Sequence, residues 1–152
     1  MKILNKKVLV IGLLLVVALS SVAAISAVQE LTLDGIKFNI PDGYSISEKQ
    51  TDSSKPTDVE HIDGTPVDTE MTSEYKNSAG DELEIEVGSR NNQKIDSINP
   101  ANSQKKQIAG KDGFLIKDVD DGKDKYKFEY LQDGKIVKIS AVSEDIISQV
   151  IA

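Results

Sequence analysis

From residue 29 onward, apolar and polar residues alternate in short runs punctuated by Asp-Gly pairs. In Leu31-Thr32-Leu33 and Ile36-Lys37-Phe38-Asn39-Ile40 the apolar positions recur every second residue, the period of a half-buried strand. Asp34-Gly35 suits a two-residue hairpin turn, where both residues need positive φ. Such a turn pairs Leu33 with Ile36 and Leu31 with Phe38, with all four on one face. Pro41 ends the second strand because it has no N–H for a ladder. A second hairpin turns at Asp133-Gly134 and pairs Leu131 with Ile136, Tyr130 with Val137, Glu129 with Lys138, Phe128 with Ile139 and Tyr126 with Ala141. One face then holds Tyr126, Phe128, Tyr130, Val137, Ile139 and Ala141, and the other holds the opposite-charge pair Glu129 and Lys138.

Two more strands precede it. Residues 82–87, ELEIEV, put Leu83, Ile85 and Val87 on one face and three glutamates on the other, and pair with MTSEYK through the turn NSAGD. Residues 114–119 lead through Asp121-Gly122 into KYKFEYL. A two-residue turn there pairs Leu115 with Phe128, and a longer loop pairs Phe114 with Phe128. Six of the seven aromatics fall on these strands, and Tyr44 just follows one.

Helical periodicity is scarcer. Ser143 can cap a C-terminal helix, with Glu144 and Asp145 where the helix dipole favours anions and an apolar stripe of Ile146, Ile147, Val150 and Ile151. Residues 93–106 predict at most a helical turn around Ile95 and Ile98. Residues 42–70 are polar with two prolines and predict a long surface loop.

The N-terminus follows another rule. Residues 8–28 carry no charge, and Lys2, Lys6 and Lys7 stand in front of them. A basic start, an apolar helix and a small-residue exit mark an export signal. Ala24 and Ser26, or Val22 and Ala24, fit a small-x-small cleavage site, and cleavage near Ala27 leaves about 125 residues. Uncleaved, the same 21 residues could span a bilayer, which takes roughly 20. Either way the preceding lysines send the following domain outward. The expected organisation is a signal peptide or membrane anchor over 1–27 and a single exported domain over 28–152. The expected fold class is α+β: an N-terminal hydrophobic helix, then one antiparallel sheet of Asp-Gly hairpins with a short C-terminal helix packed on it.

Composition narrows the chemistry. With no cysteine there are no disulfides, no thiolate metal sites and no lipidated thiol. The formal charge is −7, or −10 without the three N-terminal lysines, which opposes binding to nucleic acid or anionic lipid. His61 is the only histidine, so any Ser-His-Asp arrangement would need it, yet it sits in the polar 42–70 stretch and no Gly-x-Ser-x-Gly elbow occurs. Asp58, Glu60, His61 and Asp63 cluster in sequence without a spacing that makes them converge on a metal. Asp118, Asp120, Asp121 and Asp124 fail the EF-hand spacing, because glycine arrives one position early, and a hairpin turn explains them. Glycine-rich phosphate loops, tryptophan sugar platforms and Asn-x-Ser/Thr acceptors are absent from the sequence. Neither a cofactor nor a catalytic or metal residue is assigned.

The segments DGIKFNIPDGY (34–44), SEYKNSAGDELEIEV (73–87), INPANSQKKQIAGKDGFL (98–115) and YKFEYLQDGKIVKI (126–139) make the exported region resemble small uncharacterised exported proteins of methanogenic archaea. That resemblance implies no activity and no site residues. The opening strand and its proline-glycine bend also look faintly like PsbP/Mog1-like α+β domains.

The expected function is that of an exported cell-surface or envelope protein, non-catalytic, binding a protein or surface partner or filling a structural role. It would touch the membrane only through an uncleaved N-terminus. Two alternatives stand beside it: a small exported hydrolase using paired carboxylates, and an acidic domain that weakly binds divalent cations. A hydrolase requires a concave pocket holding a carboxyl with raised pKa, whereas a binding module requires a flat or loop-built face.

Overall fold

The Asp-Gly turns build the architecture. The structure, a computed structural model, describes residues 29–53 and 60–152. Strands β1 (Gln29–Leu33) and β2 (Ile36–Ile40) form a two-stranded hairpin, and β4 (Glu60–Ile62) and β5 (Thr65–Val67) form another. The remaining strands are β3 (Ser45–Ser53), β6 (Thr69–Lys76), β7 (Glu82–Ser89), β8 (Gln104–Ile108), β9 (Lys111–Asp120), β10 (Lys123–Gln132) and β11 (Lys135–Ala141). They make one antiparallel seven-stranded sheet in the order β3-β6-β7-β11-β10-β9-β8. A single helix, α1 (Glu144–Val150), follows β11.

The hairpin registers are those the turn chemistry dictates. Leu33 meets Ile36 and Leu31 meets Phe38. Across β10–β11, Phe128 meets Ile139 and Tyr130 meets Val137. β6 and β7 pair Tyr75 with Leu83. The two-residue turn at Asp121-Gly122, with φ of 49° and 76°, pairs Leu115 with Phe128 and closes the open register of β9.

The α+β expectation is overturned. Among the described residues eleven strands stand against one seven-residue helix, so the fold is mostly β, with two hairpins outside the main sheet. Residues 93–106 supply no helical turn: residues 94–100 cross the sheet without regular structure and Gln104 opens β8. Pro100 disfavours helical geometry at Asn99, and Ile95 donates its N–H to Gly134 O at 2.9 Å rather than into a helix. The long polar loop expected over 42–70 contains β3, β4 and β5. β3 escapes pattern reading because it is an edge strand: its backbone pairs with β6 while residues 45–49 stay exposed. The predicted N-terminal hydrophobic helix lies outside the described residues. No helix among the described residues is long and apolar enough to cross a membrane.

The main core lies on one face of the sheet. Tyr75, Leu83, Ile85, Val87, Leu115, Phe128, Tyr130, Val137 and Ile139 project there and are buried. The β1–β2 hairpin covers them with Leu33, Ile36, Phe38 and Ile40, and α1 adds Ile147 and Val150. Seven residues are too few for a helix to persist alone, so α1 depends on this docking. Its start is capped by Ser143 Oγ, which accepts from Ile146 N at 3.3 Å. Its end passes into Ile151, which bridges to Phe38. Phe128 sits at the centre, its ring 5.6 Å from that of Tyr130. Phe128→Ala is expected to destabilise the domain by about 3–5 kcal/mol. Urea denaturation checks this, and a loss under about 1 kcal/mol would place the ring outside the load of the core.

Candidate functional site

Alternation gives the opposite face polar side chains: Glu84 and Glu86 on β7, Lys138 and Ser140 on β11, Lys127 and Glu129 on β10. Part of this face is nevertheless covered. β8 lies at the far edge of the sheet from β3, so the connection from β7 to β8 must cross β11, β10 and β9. That connection and the β4–β5 hairpin pack on a small apolar patch of Ile62, Val67, Ile95 and Ile136, joined by Ile98 and Leu131. Gly88 lets the hairpin approach. A Cβ there would lie 2.6 Å from both Ile62 Cδ1 and Val67 Cγ1 and 3.0 Å from Ile136 Cγ2.

The cover removes charged groups from water. Glu129 is 0% exposed and Glu86 8%. Lys138 is the ammonium among them. It reaches Glu86 on the neighbouring strand at 2.6 Å and Asp63, at the β4–β5 turn, at 3.6 Å. The expected cross-strand pairing of Glu129 with Lys138 holds for the backbone register, but the ion pair goes to Glu86 and Asp63 instead. Neither oxygen of Glu129 has a hydrogen-bond donor among the described residues. Burial, and then the facing carboxylate of Asp63, push Glu129 up to about 9. Glu129 is therefore protonated at neutral pH, and the contact between the two carboxyls is favourable because one of them carries a proton. The hydrogen bond from Glu129 is the largest influence holding Asp63 below the ordinary carboxylate range, with Lys138 adding to it against the opposing effect of burial. Burial raises Glu86, partly offset by Lys138, and raises Glu84, which also feels Glu86. For Lys138 burial works downward, and the charges of Glu86, Asp63 and Glu84 outweigh it and raise the ammonium.

A separate concavity opens on the same face towards β8. It is a cavity of about 600 Å³ between the connection, at Asp96, Ser97 and Ile98, and the outer strands, at Lys105, Gln107, Asp112 and Phe114. Ile98, Phe114 and Leu131 supply its apolar surface. Gln107 Nε2 donates to Asp112 Oδ1 at 3.0 Å along one wall. Lys105 makes no ion pair among the described residues. Lys106 also borders the cavity, but its ammonium is paired with Glu144 of α1. The groove and the buried carboxyl cluster are thus distinct: Glu129, Glu86, Lys138 and Asp63 do not line it.

The residues weighed from the sequence scatter. His61 lies on β4 with Pro66 as its register partner, and Glu60 pairs with Val67. Asp58 lies outside the described residues. Asp63, at the β4–β5 turn, joins the buried network through Lys138. Three of the four aspartates at the β9–β10 turn are held by lysines: Asp118 by Lys127 at 3.7 Å, Asp120 by Lys125 at 3.6 Å and Asp124 by Lys117 at 3.0 Å. No group of three or more His, Cys, Asp or Glu positioned for a metal occurs among the described residues. The groove residues and the buried role of Glu129 escaped sequence reading. Their signals were an isolated glycine, Gly88, in a strand, and the apolar residues Phe114, Leu131 and Ile136 on faces that otherwise read polar. No protein-family model, no curated protein and no solved structure matches the chain.

The Glu129 proton has a consequence for stability. An unfolded glutamate titrates near 4.5 and the folded one near 9, so the folded state holds the extra proton between those values. The contribution of Glu129 to stability therefore falls as pH rises from about 4.5 to about 9 and is level above, a loss on the order of 3 kcal/mol by pH 7. Glu129→Gln keeps the shape and a donor for Asp63 but removes the titration. It is expected to match the parent near pH 4 and to exceed it in stability at pH 7–9. Urea melts across that range decide, and equal pH slopes for the two proteins would show that Glu129 ionises normally.

Proposed function

We propose that the protein is a non-catalytic binding domain that works outside the cytoplasm, exported or tethered by its N-terminal segment, with the groove beside β8 as its binding face. The observation that carries this reading is the separation of concavity from perturbed charge. A carboxylate hydrolase needs a carboxyl of raised pKa where substrate can reach it. The strongly raised Glu129 is buried between the sheet and the β4–β5 hairpin and does not line the groove beside β8. The accessible concavity offers an apolar floor ringed by a lysine, a glutamine and two aspartates, the composition of a recognition surface. The uncharged run behind Lys2, Lys6 and Lys7 supports the extracytoplasmic address.

Selection of a displayed peptide library on the immobilised domain tests the binding face. Selected peptides are expected to lose roughly tenfold or more in affinity, about 1.4 kcal/mol, towards Phe114→Ser. Phe114 is half-buried at the groove, so the fold should persist by circular dichroism. Unchanged binding would move the binding face elsewhere. Turnover of any substrate that is lost in Glu129→Gln would replace this reading with the hydrolase. The address is checked by the intact mass of the chain from its native cell fraction: a chain lacking about 27 residues, or a full chain in the membrane, is expected. A full-length chain in the cytosol would refute export.

A further inference from the structure

We infer that the groove takes an extended peptide that adds an eighth strand to the outer edge of β8, with an acidic side chain against Lys105 and an apolar one entering over Phe114. This rests on the groove being the binding face and names what it binds.

The backbone of β8 carries the first part of the argument. β8 hydrogen-bonds only to β9. Ala109 and Gly110, with φ of 47° and 78°, make a two-residue turn between Ile108 and Lys111, which face each other in the register. In such a hairpin the residues flanking the turn form a hydrogen-bonded pair, and every second residue does the same. Ile108, Lys106 and Gln104 therefore bond inward to β9, and Lys105 and Gln107 aim their N–H and C=O groups outward. The opposite edge is less suitable, because β3 changes register between Ile46 and Glu48.

The side chains specify the partner. Lys105 and Gln107 face Phe114 and Asp112 across the ladder, so their side chains lie on the groove side of the sheet. An added strand places alternate residues on that same side. The one opposite Lys105 meets an ammonium with no ion pair among the described residues, in a molecule of net charge −7. The one opposite Gln107 stands at the mouth of the cavity floored by Phe114, Ile98 and Leu131. Asp112 is occupied by Gln107, and Asp96 stands on the far wall. The peptide is therefore acidic and apolar at two-residue spacing. Lys105, which guards this edge against indiscriminate pairing, also selects for acidic strands.

The probe is the blocked peptide Thr-Glu-Thr-Leu-Thr-Glu-Thr, which reads the same in both directions, with a counterpart carrying lysine for glutamate. Each is titrated into the 152-residue chain while amide exchange and chemical shifts are followed by NMR. The acidic peptide is expected to slow exchange at the Lys105 and Gln107 amides roughly tenfold or more and to shift Phe114 and Ile98. The lysine peptide should do neither, and Lys105→Glu should reverse the preference. Shifts at Phe114 and Ile98 without slowing at Lys105 and Gln107 would overturn strand addition while leaving the groove as the binding face. Slowing at both amides by both peptides alike would overturn the acidic preference. No response at edge or groove to either peptide overturns the inference, and the Phe114→Ser selection then judges the binding face separately. Concentration-dependent protection of those amides without peptide would make the occupant a second copy of this chain and overturn the proposal.

Discussion

The burial of one face of a sheet that was written to be wet on that face shapes most of this structure. An antiparallel sheet with strict alternation needs cover on its apolar side only. Here the β7-to-β8 connection and the β4–β5 hairpin also cover part of the polar side, because the strand order puts β8 at the far edge. Charged residues at the sheet centre lose their water as a result. Lys138 is the ammonium paired with Asp63 and Glu86, and a further buried carboxyl beside them is neutral only by holding a proton. Glu129, the most buried, holds it.

That cluster fixes more than charge. Asp63 belongs to the turn of the β4–β5 hairpin, so Lys138 and Glu129 tie the hairpin to the sheet through polar contacts while Ile62 and Val67 tie it through apolar ones. The apolar core on one face and this cluster on the other leave the centres of β7, β11 and β10 with little exposure. Accessible chemistry is displaced to the margins, where the sheet runs out of cover.

The two margins differ. β3 is long, exposed over its first residues and interrupted by a register shift. β8 is short and regular, carries two lysines, and borders the apolar concavity at Ile98, Phe114 and Leu131. A regular open edge beside an apolar cavity can supply both hydrogen bonds and side-chain selection to an extended chain. Lys106 is turned to the other face and held by Glu144, so α1 also helps define the edge.

The sequence by itself determined the hairpins. Asp-Gly turns and period-two alternation are local signals, and they set the registers of β1–β2 and β10–β11 and the pairing of β6 with β7, along with the capped helix at Ser143. It did not determine the balance of fold class: an edge strand such as β3 buries too little to leave a pattern, and a connection pinned by Ile95 and Ile98 offers two apolar residues to read. Tertiary structure alone decided which polar face would be covered. Glu129 and Lys138 look like a solvated cross-strand pair until the strand order carries a connection across them and Gly88 admits a hairpin above. The groove likewise exists only once residues 96–98 are laid against Phe114 and Leu131. Desolvation and concavity depend on contacts between residues distant in the chain, and no local pattern encodes them.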